Sequence, residues 1–268
     1  MSIFTALSGA IAAEERVNTI ANNLANIDTA GFKKDSLTFK EYLTQLEKVD
    51  NAQTAPRSSY SWDDYNHLNG HDKSYVDISS KEIDFEQGAI KQTGSPLDLA
   101  LDGEGFFAVK TPSGIAFTRN GSFTLNSQGV LVTSEGYSVL SGQGDFTSMQ
   151  NAEEIILKGS RVDIDTDGNI YEDGEKTSTL ARVKFEDNRG LSKIGSSLFV
   201  NNDPVINPAQ SAKGQVLQGA LEWSNVNPIG EMINMIQANR AFEAYQNVIK
   251  SFNEIDTKAV NDLGRLLG

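Results

Sequence analysis

Apolar residues recur at helical spacing at both ends of the chain and at strand spacing between them. Near the start, Ile3, Leu7, Ala10, Val17, Ile20, Leu24 and Ile27 are separated by three, four or seven positions. That is a narrow stripe, the pattern of a helix that packs along another helix. Asn26-Ile27-Asp28-Thr29-Ala30-Gly31 closes it, since short polar residues and a glycine favour a C-terminal cap. Gly31 is expected to hold a positive φ there. A weaker helical stretch is expected over Ser36 to Leu46, followed by a polar loop over 50–74 with Pro56, Asn69 and Gly70.

Near the end, Asn227-Pro228 offers a cap and a first-turn proline. Beyond it, Tyr245, Phe252, Ala259 and Leu266 lie seven apart, and Phe242, Ile249 and Leu263 occupy the second heptad position, which Asp256 interrupts. Met232, Met235 and Ile236 extend the apolar side upstream. The predicted helix has about forty residues, ~60 Å at 1.5 Å per residue.

Between these ends, residues 75–225 read as β structure. Ile115–Arg119 and Ser122–Leu125 flank Asn120-Gly121, which predicts a type I′ hairpin. Ser127-Gln128-Gly129, Glu135-Gly136, Asp167-Gly168 and Asp173-Gly174 are further turn signals. The expected fold class is therefore α+β. N- and C-terminal helices pair as a coiled-coil-like domain (1–45 and 226–268), and a polar linker (46–74) leads to an antiparallel, sandwich- or barrel-like β domain (75–225). Each helix needs cover for its stripe. An antiparallel pair within the chain and packing against other copies both satisfy the periodicity.

Composition narrows the functions. There are 36 acids against 23 bases, a net charge of −13, which argues against nucleic acid and anionic membrane as partners. The absence of cysteine excludes disulfides and thiolate metal sites. No stretch is apolar enough to span a bilayer, so no membrane insertion is expected. The apolar start lacks the basic residues of a cleaved signal peptide, and residues 3–13 read as helix.

Candidate chemistry is thin. His67 and His71 are four apart, but Asn69-Gly70 between them argues for a loop and no metal site. Asp163–Gly168 resembles the opening of a calcium loop, yet Gly174 stands where the twelfth-position carboxylate belongs; a β-turn explains the segment better. Gly103-Glu104-Gly105 lacks the third glycine and the following helix of a phosphate loop. Asp98, Asp102 and Glu104 could mimic a glycosidase pair, but close acids are expected in so acidic a chain. No catalytic residue, cofactor, metal or small-molecule substrate is expected.

Three segments together carry a family resemblance. Ala21-Asn22-Asn23-Leu24-Ala25-Asn26 with Thr29-Ala30-Gly31-Phe32-Lys33 is the first. The second is Pro96–Phe107, continuing to Phe117-Thr118-Arg119-Asn120-Gly121-Ser122-Phe123. The third is Leu221-Glu222-Trp223-Ser224-Asn225-Val226-Asn227, with Glu231-Met232, Met235-Ile236 and Arg240–Glu243. In order and placement these segments resemble the flagellar rod, hook and hook-associated proteins. Trp223 stands where that family usually has a small residue, and Phe117 and Phe242 replace frequent tyrosines. The segment Asp84–Gly94 and the C-terminal tail are most similar to the proximal rod proteins, with the distal rod proteins next.

The resemblance implies a structural subunit of the periplasm-spanning rod, exported through the flagellar type III apparatus without a cleaved signal. Its partners would be copies of itself and neighbouring rod proteins, and its work the transmission of torque for motility. The implied subunit-interface residues are Leu7, Val17, Asn22, Asn23, Leu24, Asn26, Gly31, Phe32, Met235, Phe242, Ile249, Phe252 and Leu263. Competing readings from other classes are a calcium- or carbohydrate-binding β module and a cell-wall hydrolase.

Overall fold

The computed structural model describes residues 3–43, 74–142, 153–159, 161–195 and 197–266. Most of the expected polar loop, with His67 and His71, lies outside the described residues. The chain divides into two compact units: residues 1–21, 36–82 and 232–268, and residues 22–35 and 83–231.

The first unit is built on two helices, α1 (Ile3–Ala25) and α2 (Pro228–Leu266), each of which begins or ends in the other unit. Asn227 caps α2: its side-chain oxygen accepts from the amides of Ile229 (3.1 Å) and Gly230 (3.2 Å). Within this unit the less exposed positions of α1 include Ala6, Ala10, Ala13, Val17 and Ile20; those of α2 include Met235, Ala238, Phe242, Tyr245, Ile249 and Phe252. Both series step alternately by three and four, the spacing of a helix seam. At Gly9 a Cβ would collide with the Tyr245 ring, so the missing side chain lets α2 approach α1.

The segment expected to continue as helix after Gly31 is instead a strand. β1 (Asp35–Leu43) pairs with β2 (Ser74–Ile83) in a two-stranded sheet. Leu37 and Phe39 alternate as in a strand, whereas Phe39, Tyr42 and Leu43 lie at helical spacing, and pairing with a distant segment decides between them.

The second unit is β-rich, and every paired strand whose register is described runs antiparallel. Its largest sheet centres on β5 (Phe106–Thr111), hydrogen-bonded to β6 (Gly114–Thr118) and β9 (Ser138–Val139). Successive residues of β5 alternate between two cores. Phe107 and Val109 join Leu99, Leu101, Phe123 and Leu131 on one face. Phe106 and Ala108 join Phe117, Val183, Phe185 and Phe199 on the other. A strand buried on both faces reads as a continuous apolar run, as Phe106–Val109 does.

The hairpin expected at Asn120-Gly121 is absent. Neither residue has a positive φ, and β6 pairs with β5 and with β15 (Leu198–Asn201), while β7 (Phe123–Leu125) pairs with β8 (Leu131–Thr133). Gly121 serves a different purpose. Its carbonyl accepts from the Leu99 amide at 3.0 Å, and a Cβ there would overlap the Leu99 carbonyl oxygen. The two-residue turn of positive φ lies instead at Asp173-Gly174 (φ 50° and 93°), joining β11 (Asn169–Glu172) to β12 (Glu175–Thr179) through the Glu172–Glu175 pair.

The calcium-like segment is a turn. Asp165 accepts from the amides of Asp167 (2.9 Å) and Asn169 (2.8 Å), from the Asn169 side chain (2.8 Å) and from the Tyr171 hydroxyl (3.4 Å). Burial opposes its charge, but these bonds, led by the Asn169 side chain, hold its carboxyl below the usual range. The carboxylate is thus committed to closing the β10–β11 corner (β10, Val162–Ile164).

Candidate functional site

The second unit contains a buried ionic clasp built from three distant segments. Past Ala25 the chain turns through Asn26–Ala30 to Gly31 (φ 69°), whose amide donates to the Glu222 carbonyl at 2.8 Å. A Cβ on Gly31 would run into the backbone of Arg119 and Asn120, so glycine is required both for φ and for space. This close approach sends Phe32 and Lys33 inward, where both side chains are fully buried.

Glu222, also fully buried, organises the clasp from β18 (Ala220–Glu222). One carboxylate oxygen accepts from Lys33 Nζ at 2.6 Å and from the Gly88 amide at 2.9 Å. The other accepts from Arg119 Nη1 at 3.0 Å. Lys33 also donates to the Glu86 carbonyl (2.6 Å), and Arg119 Nη2 to the Gly103 carbonyl (2.8 Å). Burial pushes the Lys33 ammonium below its usual range. Glu222 opposes this by charge and hydrogen bond, and the like charge of Arg119 adds to it.

A second layer surrounds the clasp. Asn23 and Asp35 exchange two hydrogen bonds, Nδ2 to the Asp35 carbonyl at 2.8 Å and the Asp35 amide to Oδ1 at 3.0 Å. Lys193 reaches the Lys33 carbonyl (2.7 Å) and the Asp35 carboxylate (3.0 Å), with its ammonium 3.9 Å from the centre of the Phe32 ring. Lys34 pairs with Glu231 at 2.8 Å, and its amide donates to Asn225 Oδ1 at 2.8 Å.

The expected interface residues divide between these settings. Asn23, Gly31 and Phe32 are buried around the clasp, and Leu24 is half-buried beside them. Asn22 is exposed; its carbonyl accepts from the Asn26 side chain at 2.8 Å, a local cap. Val17, Met235, Phe242, Ile249 and Phe252 are half-buried on the helices. Leu7 stands off the α1 seam, half exposed beside Ile11. Leu263 lies within α2, its side chain outside the described residues.

Lys33, Arg119 and Glu222 all stand in the segments that carry the family resemblance, where no local pattern assigns them a role. The available signal was a charge beside apolar residues, as in Phe32-Lys33 and Leu221-Glu222-Trp223, and it is weak at Lys33, which Lys34 and Asp35 follow.

Comparison with known proteins follows the same three segments. A family described as flagella basal body rod protein matches residues 3–33. The flagellar hook protein FlgE/F/G D1 domain matches 100–172, and the flagellar basal body rod FlgEFG protein C-terminal region matches 217–263. Each block supplies one member of the clasp: Lys33, Arg119 and Glu222.

Full-length relatives agree. The flagellar basal-body rod protein FlgG of Borreliella burgdorferi is 34% identical over 100% of this chain and 96% of its own. FlgG of Bacillus subtilis is 32% identical over 97% and 98%, and FlgF of Rhizobium meliloti 31% over 98% and 97%. The chain belongs to the flagellar basal-body rod protein family.

Proposed function

We propose that this chain is a structural subunit of the flagellar rod. It polymerises with copies of itself and with neighbouring rod proteins into the periplasmic shaft that transmits torque, after export by the type III apparatus without a cleaved signal. The role is mechanical and requires no catalytic residue.

One observation carries the assembly reading. Each terminal helix buries one seam within the chain and leaves a second set of aliphatic side chains in water. On α1 these are Leu7 and Ile11; on α2 they include Met232, Ile233 and Ile236, with Ile229 before them and Ile255 and Val260 beyond. Apolar side chains at i, i+1 and i+4 on a helix form a stripe that gains stability only when another surface covers it. Neighbouring subunits supply that surface.

The proximal position follows from the resemblance of Asp84–Gly94 and the C-terminal tail to proximal rod proteins. The distal position is the second reading, favoured by the FlgG relatives at 32% and 34% identity. Sedimentation of the purified chain tests the assembly claim. Wild type sediments as polymers above a threshold concentration, and Ile236→Asp remains monomeric with its β unit folded. Equal polymerisation of the two would remove the helices from the assembly.

A further inference from the structure

Among the described residues, three buried side-chain atoms have no hydrogen-bond partner: Arg119 Nε, Asn188 Oδ1 and Trp223 Nε1. Two of the three belong to residues that line one cavity of about 320 Å³, walled by Phe85, Phe106 and Phe185. A buried polar atom without a partner is costly, and native chains seldom leave two of them around one opening. The Arg119 side chain is only 5% exposed, and its other nitrogens are committed to Glu222, Leu101 and Gly103. The Nε–H therefore asks for an acceptor and the Asn188 amide for a donor.

The charges around the opening favour neither kind of ion at this spot. Glu86, Glu104 and Glu186 outnumber Lys184 on the lining and turn away an anion, while the free N–H of the Arg119 cation turns away a cation. A neutral group that both accepts and donates, carried on small apolar neighbours, satisfies the cavity: an amide. The volume admits one or two side chains and no more, being at the lower bound for ligand pockets.

The same unit presents a matching shape. Val205 and Ile206 are 92% and 82% exposed, the most exposed large hydrophobics among the described residues. Their loop is tightly held. The Asn207 amide donates to the Asp203 carbonyl (2.9 Å), Asn201 Nδ2 to the Asn207 carbonyl (2.7 Å), and Asn207 Nδ2 to the Asp187 carbonyl (2.6 Å). A rigid loop that holds two aliphatic side chains and their peptide groups in water is preorganised for insertion.

We propose that the Val205-Ile206 loop of one copy of this chain inserts into the phenylalanine-walled cavity of another, its peptide group bonding Arg119 Nε and the Asn188 amide. This contact deepens the rod reading, on which it rests, and lies in the β unit, apart from the helix stripes.

The chain has no cysteine, so single cysteines report the contact directly. Full-length Val205→Cys and full-length Glu186→Cys chains are mixed under polymerising conditions with a mild oxidant. The expected result is a mixed disulfide dimer that neither variant forms alone. Asn188→Ala in the Glu186→Cys chain is expected to lower its yield about tenfold, the effect of one lost buried hydrogen bond. Polymer without a mixed disulfide overturns the loop contact and leaves the rod reading intact. No polymer at all overturns both. Protection of Glu186→Cys from alkylation by N-acetylglucosamine, with no mixed disulfide, assigns the cavity to a free acylamide and also overturns the loop as its occupant.

Discussion

In the β unit a fully buried glutamate holds two cations in place, whereas on the terminal helices aliphatic side chains stand half in water. The first arrangement is complete within one chain: every oxygen of Glu222 has a partner, and both faces of β5 are covered. The second is incomplete, for each helix has one seam buried and another face open. The contrast teaches where mutational energy should appear. Damage to the β unit registers in the isolated monomer, and damage to the open helix faces registers only when copies meet.

The largest effect is expected at Glu222. Glu222→Ala strands Lys33 and Arg119 without a counter-charge, and breaking a buried pair in this way costs about 3–5 kcal/mol. Urea unfolding of the monomer should show that loss, and a change below about 1 kcal/mol would mean the clasp relaxes or admits water. Next comes Gly31→Val. It combines a positive φ (69°) with a collision against Arg119 and Asn120, so a loss of about 1–3 kcal/mol is expected in the same assay.

A smaller effect belongs to Asp165. Its folded-state carboxyl titrates below its unfolded value, so its contribution is present above the ordinary aspartate range and is lost as the pH falls through the folded value. The stability gap between wild type and Asp165→Asn should be constant near neutral pH and should close below about pH 4. A gap that widens on acidification would reverse the sign. Smallest in the monomer is Ile236→Asp, at a half-exposed position (54%), where a shift within about 0.5 kcal/mol is expected. The same variant should prevent polymerisation, and that disparity sharpens the comparison most.

How much of this was legible in the sequence depended on the range of the interactions. The terminal helices and the Asn227 cap follow from local periodicity and capping chemistry, and α2 runs as far as its heptads do. The β character of the middle followed from turn residues at Gly129, Gly136, Gly168 and Gly174, all of which have positive φ. Asn120-Gly121 misled because the same dipeptide that suits a hairpin also suits a close backbone approach, and only the position of Leu99 decides between them. Ser36–Leu43 became a strand because its partner is β2, a segment whose arrival no local pattern announces. The clasp was hidden for the same reason: Lys33 and Glu222 are 189 positions apart, and a charged residue in sequence does not disclose that it will be buried.

The most direct test of the central claim is amide hydrogen exchange of the full chain, compared between dilute monomer and polymer. Residues 83–142 and 161–231 are expected to be protected in both states. The amides of α1 and α2 within the helical unit, packed along one seam in the monomer, should exchange more slowly in the polymer. Helix protection that is the same in monomer and polymer would contradict that claim, since no neighbour would then cover the open faces.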